Sequence, residues 1–321
     1  MPALARVFRD HLSSLMPLLC LALVLGVFTS MNANFLGVYN ITSILTDTAP
    51  LLLVAGSLTF VLLLGCIDLS TGSIISCSCV IAGLYISETG SPVMLVLMAL
   101  MGVLAGLLNG LVYTLLRVPT FVATLCTSAV WQCAALLISD GKPKGIPIKQ
   151  WSVINWSKFT LFDLFPITFL VALGFLAILF FIQNRTRVGK SIYAVGANEK
   201  ASRMMGVATT WTKLAAFTLA GVGSALAGVF YAIKLRSSLP QVGTPLTLMA
   251  IAAVVLGGTT LTGGIGGVLR TLVGVLLVIA IQNGLNLVGV DAFWQQICFG
   301  TLVIVAIILN ADKSGRDIII K

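Results

Sequence analysis

The chain has 321 residues, of which 58% are hydrophobic and only 9% are charged, and its mean hydropathy is +1.08. A soluble domain of this length would carry far more surface charge, so the composition excludes a water-soluble globular protein. The formal net charge of +9 does not indicate nucleic-acid binding, because most basic residues flank apolar segments, where they orient membrane helices. We predict a single all-α, polytopic membrane domain over residues 1–321.

Apolar segments of about 20 residues, the length that crosses a hydrocarbon core of ~30 Å, recur along the whole chain. The first follows Arg6 and Arg9 and resembles a signal peptide, but no clear cleavage site of small residues follows, so we interpret it as a retained helix. Residues 32–48 are interpreted as an outer-face segment and residues 140–163 as a longer loop. Ten spans are predicted: Leu12–Met31, Pro50–Ile67, Thr71–Ser87, Val93–Leu116, Pro119–Ser139, Leu164–Gln183, Leu214–Ile233, Leu246–Leu261, Gly267–Val288 and Phe293–Asn310.

The distribution of basic residues supports this topology. With both termini in the cytoplasm, thirteen of the nineteen Lys and Arg residues fall on the inner side of the membrane and six on the outer side. This is the bias that membrane proteins show. Removing one span from the first half would reverse the bias, so an even number of spans is favoured.

The most polar stretch, residues 184–213, separates two long apolar blocks and carries six basic residues against one acid, Glu199. Its charge places it on the cytoplasmic face. Gly189 and Gly206 bracket helix-forming residues, so we predict a short helix at the membrane surface that a partner protein holds. A charged connector that only fixes the topology is the alternative.

Two glycine-rich segments interrupt the spans: Gly65–Ser73 reads GCIDLSTGS and residues 257–267 read GGTTLTGGIGG. Irregular backbone at this depth must be buried in protein or line water. Structural roles are therefore predicted for Gly65, Gly72, Gly257, Gly258, Gly263 and Gly264. Asp68 is also predicted to support the start of the helix that follows it, as a helix cap.

Polar side chains within the spans are functional candidates, because they are costly in lipid. Together they suggest a polar translocation path, whereas interhelical hydrogen bonding is the alternative for each one. The candidates are Asp68, Ser70, Asn109, Gln132, Asn283 and Asn286.

Motifs for catalysis are absent from the sequence. There is no paired-carboxylate site, HExxH or GxSxG, and the seven cysteines lie in or beside apolar runs with His11 as the only histidine. The letters VGKS at 188–191 end like a phosphate-binding loop, but Asn184 stands where that pattern requires glycine. We expect no enzymatic activity, metal or cofactor. Acids are scarce in the spans, which favours passive conduction or an external motor over a proton- or sodium-driven carrier.

The chain resembles the permease subunits of bacterial ABC sugar importers of the ribose-type branch, which includes ribose, xylose, arabinose, galactose and autoinducer permeases. GCIDLSTGS is similar to the family's GIDLSVGS, and residues 185–198 are similar to the segment that docks on the ATPase. AIAAVVLGGT at 250–259 and NGLNL at 283–287 complete the resemblance, which covers residues 35–310. Arg270 and Ser202 depart from it, since the family often has glycine and alanine there.

The resemblance implies a type II-like ABC importer permease with broken helices, which moves a small sugar from the periplasm across the bacterial inner membrane into the cytoplasm. It implies ATP-binding cassette subunits that hydrolyse ATP, a second permease chain, alike or related, and a periplasmic sugar-binding protein as partners, besides membrane lipid. A branched-chain amino acid ABC permease and a self-sufficient secondary carrier or channel are the alternatives.

Within the segment 184–213, the resemblance assigns ATPase docking to a set of eight residues. They are Arg185, Thr186, Gly189, Ala194, Gly196, Asn198, Glu199 and Gly206. Because the segment lies outside the spans, we expect a bulky charge at Gly196 to abolish docking and to leave the bundle folded.

Overall fold

A computed structural model describes residues 3–291, 293–298, 300, 301 and 304. Most of these residues are helical, and four two-residue strands lie in the connections. The helices are α1 (Ala3–Met31), α2 (Val38–Leu63), α3 (Thr71–Thr89), α4 (Met94–Leu116), α5 (Thr120–Ser139), α6 (Trp151–Ile154), α7 (Ile167–Arg185), α8 (Arg187–Ala197), α9 (Glu199–Met204), α10 (Thr209–Leu235), α11 (Leu246–Leu256) and α12 (Val268–Leu287). The strands are β1 (Lys144–Gly145), β2 (Thr160–Leu161), β3 (Phe165–Pro166) and β4 (Ser237–Ser238).

Seven helices in the described part of the chain are long and apolar enough to cross a membrane: α2, α3, α4, α5, α7, α10 and α12. The apolar part of α1, Met16–Met31, and α11 are shorter. The prediction of an all-α, polytopic membrane protein is confirmed. The number of ten spans stays a prediction, because half of Phe293–Asn310 lies outside the described residues.

Helices α2, α3 and α10 form the centre of the bundle. Their most apolar windows are 83%, 72% and 72% buried, against 33%, 22% and 33% for α4, α5 and α7. Small residues bring α4 and α10 together, since a Cβ at Gly106 would overlap the carbonyl oxygen of Phe217 and a Cβ at Gly102 would lie 2.6 Å from that of Gly221. Such close backbone approach is typical of membrane helix pairs.

Helix α2 begins at Val38, twelve residues before the start predicted at Pro50. The predicted start of the second span is therefore wrong, because residues 38–48 already belong to helix α2; the outer-face position of residues 32–48 stays a prediction. Residues 38–48 are polar, but the structure satisfies their side chains. Asn40 Nδ2 donates to Asn283 Oδ1 of α12 at 2.8 Å, and Thr46 Oγ1 donates to the Thr42 carbonyl of its own helix at 2.8 Å. Pro50 lies within the helix, which membrane helices tolerate because neighbouring groups satisfy the freed backbone.

The predicted span Leu246–Leu261 is not a continuous helix. Helix α11 ends at Leu256, and its 11 residues cover about 16 Å, roughly half of a hydrocarbon core. The segment 239–245 before it is non-helical and lies along α3, where a Cβ at Gly72 would overlap the Gly243 carbonyl. A helix and an irregular segment thus share this part of the bundle.

Side chains of neighbouring helices satisfy the irregular backbone of residues 239–245. Gln132 Nε2 on α5 donates to the Pro240 carbonyl at 2.7 Å, and Ser76 Oγ on α3 accepts from the Gly243 N–H at 3.0 Å. In lipid no water could replace these partners, so the irregular segment requires them.

Short strands fasten the connection between α5 and α7 to the end of α10. β1 pairs antiparallel with β4, with Lys144 opposite Ser238, and β2 pairs with β3 as a hairpin. The Arg236 guanidinium, next to β4, lies 3.9 Å from the centre of the Trp151 ring. This connection lies at the opposite end of α7 and α10 from α8 and α9.

Candidate functional site

The stretch 184–213 contains two successive surface helices, α8 and α9, where one was predicted. Thr186 Oγ1 accepts from the Gly189 N–H at 3.3 Å and caps α8, while Asn198 Oδ1 accepts from the Ala201 N–H at 3.0 Å and caps α9. Gly189 lies inside α8 and does not precede it. Gly206, with a φ of +82°, follows α9 and turns the chain toward α10.

Gly196 joins α8 to the ends of two other elements. A Cβ at this position would overlap the carbonyl oxygen of Leu63, the last residue of α2, and would lie 2.8 Å from the nitrogen of Gly264. These two groups are themselves hydrogen-bonded, Gly264 N–H to Leu63 O at 2.8 Å. Position 196 is therefore not independent of the spans, as the sequence interpretation assumed: any side chain there must displace backbone, so we expect a charge at Gly196 to destabilise the bundle as well.

Two further contacts attach α8 and α7 to the segment 257–267 and to α12. Tyr193 Oη donates to the Gly266 carbonyl at 2.7 Å, and Gln183 Oε1 accepts from the N–H of Val268, the first residue of α12, at 2.7 Å. Burial raises the pKa of Tyr193 above its ordinary value, so the phenol keeps the proton that it donates. The sequence gives no periodic or motif signal for either residue, so neither was predicted.

Glu199 faces the bundle from the start of α9. Its Oε1 lies 2.7 Å from Lys213 Nζ in α10 and 3.6 Å from an Arg203 nitrogen. Lys213 Nζ also lies 4.6 Å from the centre of the Tyr113 ring in α4. The acid and Lys213 therefore fix α9 to the bundle.

The eight predicted docking residues differ in their exposure to solvent. Those at the surface are Arg185, Ala194, Asn198 and Gly206; Thr186 and Glu199 are half-buried, and Gly189 and Gly196 are buried. The most exposed apolar side chains of this surface, those of Met204 and Met205, were not predicted; they are 88% and 85% exposed. Two adjacent methionines inside a polar stretch were the available signal. The docking role of the eight residues stays a prediction.

Three of the six predicted path residues meet at the start of α3. Asp68 Oδ1 accepts from the Ser70 N–H at 2.8 Å and from the Ser70 hydroxyl at 2.6 Å, and Asn109 Nδ2 donates to Ser70 Oγ at 2.7 Å. All three residues are fully buried. Asp68 thus supports Ser70, the residue that precedes α3. The predicted helix cap would have accepted from an N–H inside α3, and the Asp68 carboxylate does not do so.

The other three path candidates lie elsewhere. Gln132 donates to the carbonyl of Pro240, in the irregular segment that lies along α3. Asn283 accepts from Asn40, and the exposed Asn286 accepts from Gln295 Nε2 at 2.7 Å. The structure therefore joins the six residues into several interhelical contacts and not into one group. Their place on a translocation path stays a prediction.

The first turns of α3 and α11 face each other inside the bundle. Thr247 Oγ1 accepts from the Gly72 N–H at 2.9 Å and lies 3.4 Å from Thr71 Oγ1. The break between α2 and α3 is satisfied in the same way, since Thr124 Oγ1 accepts from the Leu69 N–H at 3.1 Å. These threonines were missed because single hydroxyls in apolar helices are usually bonded to their own backbone.

The two glycine-rich breaks pack against each other. A Cβ at Gly65, which has a φ of +72°, would lie 2.9 Å from the Thr262 carbonyl oxygen. Left-handed backbone beside another backbone admits only glycine without strain. Four of the six predicted structural glycines have a positive φ: Gly65, Gly258, Gly263 and Gly264. The other two, Gly72 and Gly257, lie directly against the backbone of another segment.

Comparisons with known proteins place the chain among transport proteins. A family model described as branched-chain amino acid transport system / permease component matches residues 40–307. The ribose import permease protein RbsC of Bacillus subtilis (strain 168) is 36% identical over 311 residues, which are 96% of each chain. RbsC of Escherichia coli (strain K12) is 30% identical over 92% of this chain and 93% of its own.

The autoinducer 2 import system permease protein LsrC of Photorhabdus laumondii is 32% identical over 94% of this chain and 89% of its own. No solved structure gives a significant match. The family model spans most of the chain, and the relatives match it along nearly their whole length. The chain therefore belongs to this family of transport-system permease components.

Proposed function

We propose that this chain is the transmembrane permease subunit of an ATP-driven importer that carries a small sugar from the periplasm to the cytoplasm. The observation that carries the proposal is the 36% identity to a ribose import permease over 96% of both chains. An import permease that transports ribose in one organism and one that transports autoinducer 2 in another are both similar to this chain over almost their full length.

The proposed assembly contains two permease chains, alike or related, two ATP-binding subunits that hydrolyse ATP, and a periplasmic sugar-binding protein. Both termini and the segment 184–213 lie in the cytoplasm of a bacterium, in agreement with the excess of basic residues on that side. The exposed surface of α8 and α9 would meet the ATPase. We name this surface the docking face and define it by Ala194, Asn198, Met204 and Met205.

The contacts behind the docking face suggest how movement reaches the spans. If the ATPase displaces α8, Gly196 transmits the displacement to Leu63 and Gly264, which are hydrogen-bonded to each other. Through these residues it acts on both glycine-rich breaks, which precede α3 and follow α11. Because packed elements shift between discrete arrangements, a small displacement of α8 would move the ends of several helices together.

Transport into proteoliposomes tests the function. The chain would be reconstituted with ATP-binding and binding-protein subunits from the same genome, and uptake of labelled ribose would be measured with and without ATP. The expected result is ribose uptake that requires both ATP and the ATPase. Ribose uptake by the permease alone would overturn the proposal in favour of a secondary carrier.

The description of the family model favours a second candidate, a branched-chain amino acid permease. Labelled leucine in the same proteoliposomes separates the two candidates. ATP-dependent uptake of leucine without uptake of ribose would support the second candidate and reject the first.

A further inference from the structure

A cavity of about 320 Å³ lies at the end of the bundle opposite to the docking face. α2, the segment 157–168 and the last turns of α10 line it. Its lining contains three basic side chains, those of Lys158, Lys234 and Arg236, and five hydroxyl-bearing side chains. Such a lining is unusual in a chain with only 9% charged residues, and the proposed transport of an uncharged sugar gives it no role.

The cavity keeps an excess of positive charge. Lys234 Nζ is paired with Asp47 Oδ1 at 2.5 Å. Among the residues that the structure describes, Lys158 and Arg236 form no ion pair. Arg236 is held in place instead by the Trp151 ring and by its own carbonyl, which accepts from the Ile146 N–H at 2.8 Å.

The start of α7 adds to this positive potential. Pro166, which precedes the 19-residue helix, gives it no side-chain cap, and both Pro166 and Thr168 line the cavity. The Ile167 N–H donates to the Phe159 carbonyl at 2.9 Å, so the free donors at this end are the N–H groups of the following residues in the first turn. The N-terminal end of a helix attracts anions through its free N–H groups and its dipole. Thr168 is 8% exposed, and its buried hydroxyl has no partner in the described part of the chain.

We propose that this cavity binds an organic phosphate. The phosphate group contacts Lys158, Arg236 and the start of α7, because a guanidinium and an ammonium beside a helix N-terminus form strong charge-assisted hydrogen bonds to phosphate oxygens. The hydroxyl-bearing side chains then face the polyol part of the molecule. A phosphatidylglycerol headgroup and free glycerol phosphate offer the same chemistry, and the experiment separates them. The site does not depend on which substrate the permease transports.

Binding to the full chain tests the proposal. Glycerol 3-phosphate would be titrated into the purified permease in a neutral detergent, with glycerol as the uncharged comparison, and Kd measured by calorimetry. In parallel, melting temperatures would be compared in nanodiscs of phosphatidylcholine alone and with phosphatidylglycerol added. The variants are Lys158→Gln, Lys158→Arg as a conservative replacement, and Lys149→Gln as a control on an exposed basic residue that does not line the cavity.

A phosphate site predicts saturable binding of glycerol 3-phosphate but not of glycerol, or a higher melting temperature with phosphatidylglycerol. The first result identifies free phosphate as the source and the second identifies the lipid headgroup. In Lys158→Gln the Kd for glycerol 3-phosphate should rise about tenfold, since one charge-assisted contact is worth roughly an order of magnitude in affinity. The rise in melting temperature with phosphatidylglycerol should be reduced or lost in the same variant. Lys158→Arg and Lys149→Gln should retain the wild-type effect. Absence of both effects, or equal effects in wild type and a folded Lys158→Gln, would overturn the proposal.

Discussion

Gly196 of α8 lies against the carbonyl oxygen of Leu63 so closely that position 196 has no space for a Cβ. The contact joins the surface helix to the last residue of a central span without an intervening side chain. A rigid contact of this kind transmits displacement better than a layer of flexible side chains would.

We expect Gly196→Ala to destabilise the permease by about 1–3 kcal/mol, because the methyl group must displace backbone that is already packed. The melting temperature in detergent and the yield of monodisperse protein measure the effect. Gly174→Ala in α7 is the matched control, since a Cβ there meets nothing within 4 Å. Equal melting temperatures for the two variants would contradict the close contact.

Met204→Asp should abolish recovery of the ATPase and leave folding intact, because Met204 is 88% exposed on the docking face and a charge would be buried unpaired in an interface. Pull-down of the ATPase and ATP-dependent uptake are the measurements. Ile148→Asp introduces the same charge at a residue 75% exposed at the other end of the bundle and should retain the ATPase. Normal recovery with Met204→Asp would place the docking site elsewhere.

Glu199→Gln should lower stability by about 1–3 kcal/mol, since Lys213, only 13% exposed, loses its carboxylate. The comparison is Asp140→Asn, whose pair with Lys144 is largely exposed and should contribute less than about 1 kcal/mol. Thermal melts at low and high salt check both. An effect of Asp140→Asn as large as that of Glu199→Gln would refute the argument from burial.

Asp68→Ala should lower yield and melting temperature more than Asp68→Asn, because asparagine keeps the oxygen that accepts from the Ser70 N–H and hydroxyl. A buried donor without its acceptor costs about 1–3 kcal/mol. Neither variant should alter the order in which competing sugars inhibit uptake. A well-folded Asp68 variant with a changed sugar preference would instead give Asp68 a direct role in transport.

Thr247→Val should destabilise the junction of α3 and α11 by about 1–2 kcal/mol, since the Gly72 N–H loses its acceptor. Thr114→Val removes a hydroxyl whose partners, the Gly110 and Leu111 carbonyls, both belong to its own helix, and it should have a smaller effect. Thermal melts of the two variants decide whether the interhelical bond matters.

The membrane spans were predictable because lipid imposes a length and a composition on any helix that crosses it. Length and hydropathy predicted the helix bounds incorrectly where a segment is surrounded by other helices and not by lipid. Residues 38–48 are polar enough to suggest a loop, yet they extend α2 because Asn283 and other groups bond to them. Leu246–Leu261 is hydrophobic enough on average for a span, so hydropathy alone could not reveal that helix α11 ends at Leu256, where the glycine-rich segment begins.

The candidate site was predictable in its location and its caps but not in its contacts. Charge density and the resemblance located α8 and α9, and Asn198 caps α9 as its residue type suggests. The burial of Gly196 depends on Leu63 and Gly264, which lie far away in the sequence. No local pattern contains such a long-range contact, so the sequence interpretation assigned Gly196 to ATPase docking and did not predict its contact with Leu63.

Helix α1 leaves the ribosome long before α12, yet among the described helices it packs most extensively against α12, where the Phe28 ring lies on Gly284. About 240 residues separate the two helices, so at ~5–20 residues per second synthesis of the partner takes roughly 10–50 s. During that interval α1 waits in the bilayer with its future contact surface covered by lipid or by the insertion machinery. Assembly of this permease therefore includes a late step, in which α1 joins a helix that is synthesised long after it.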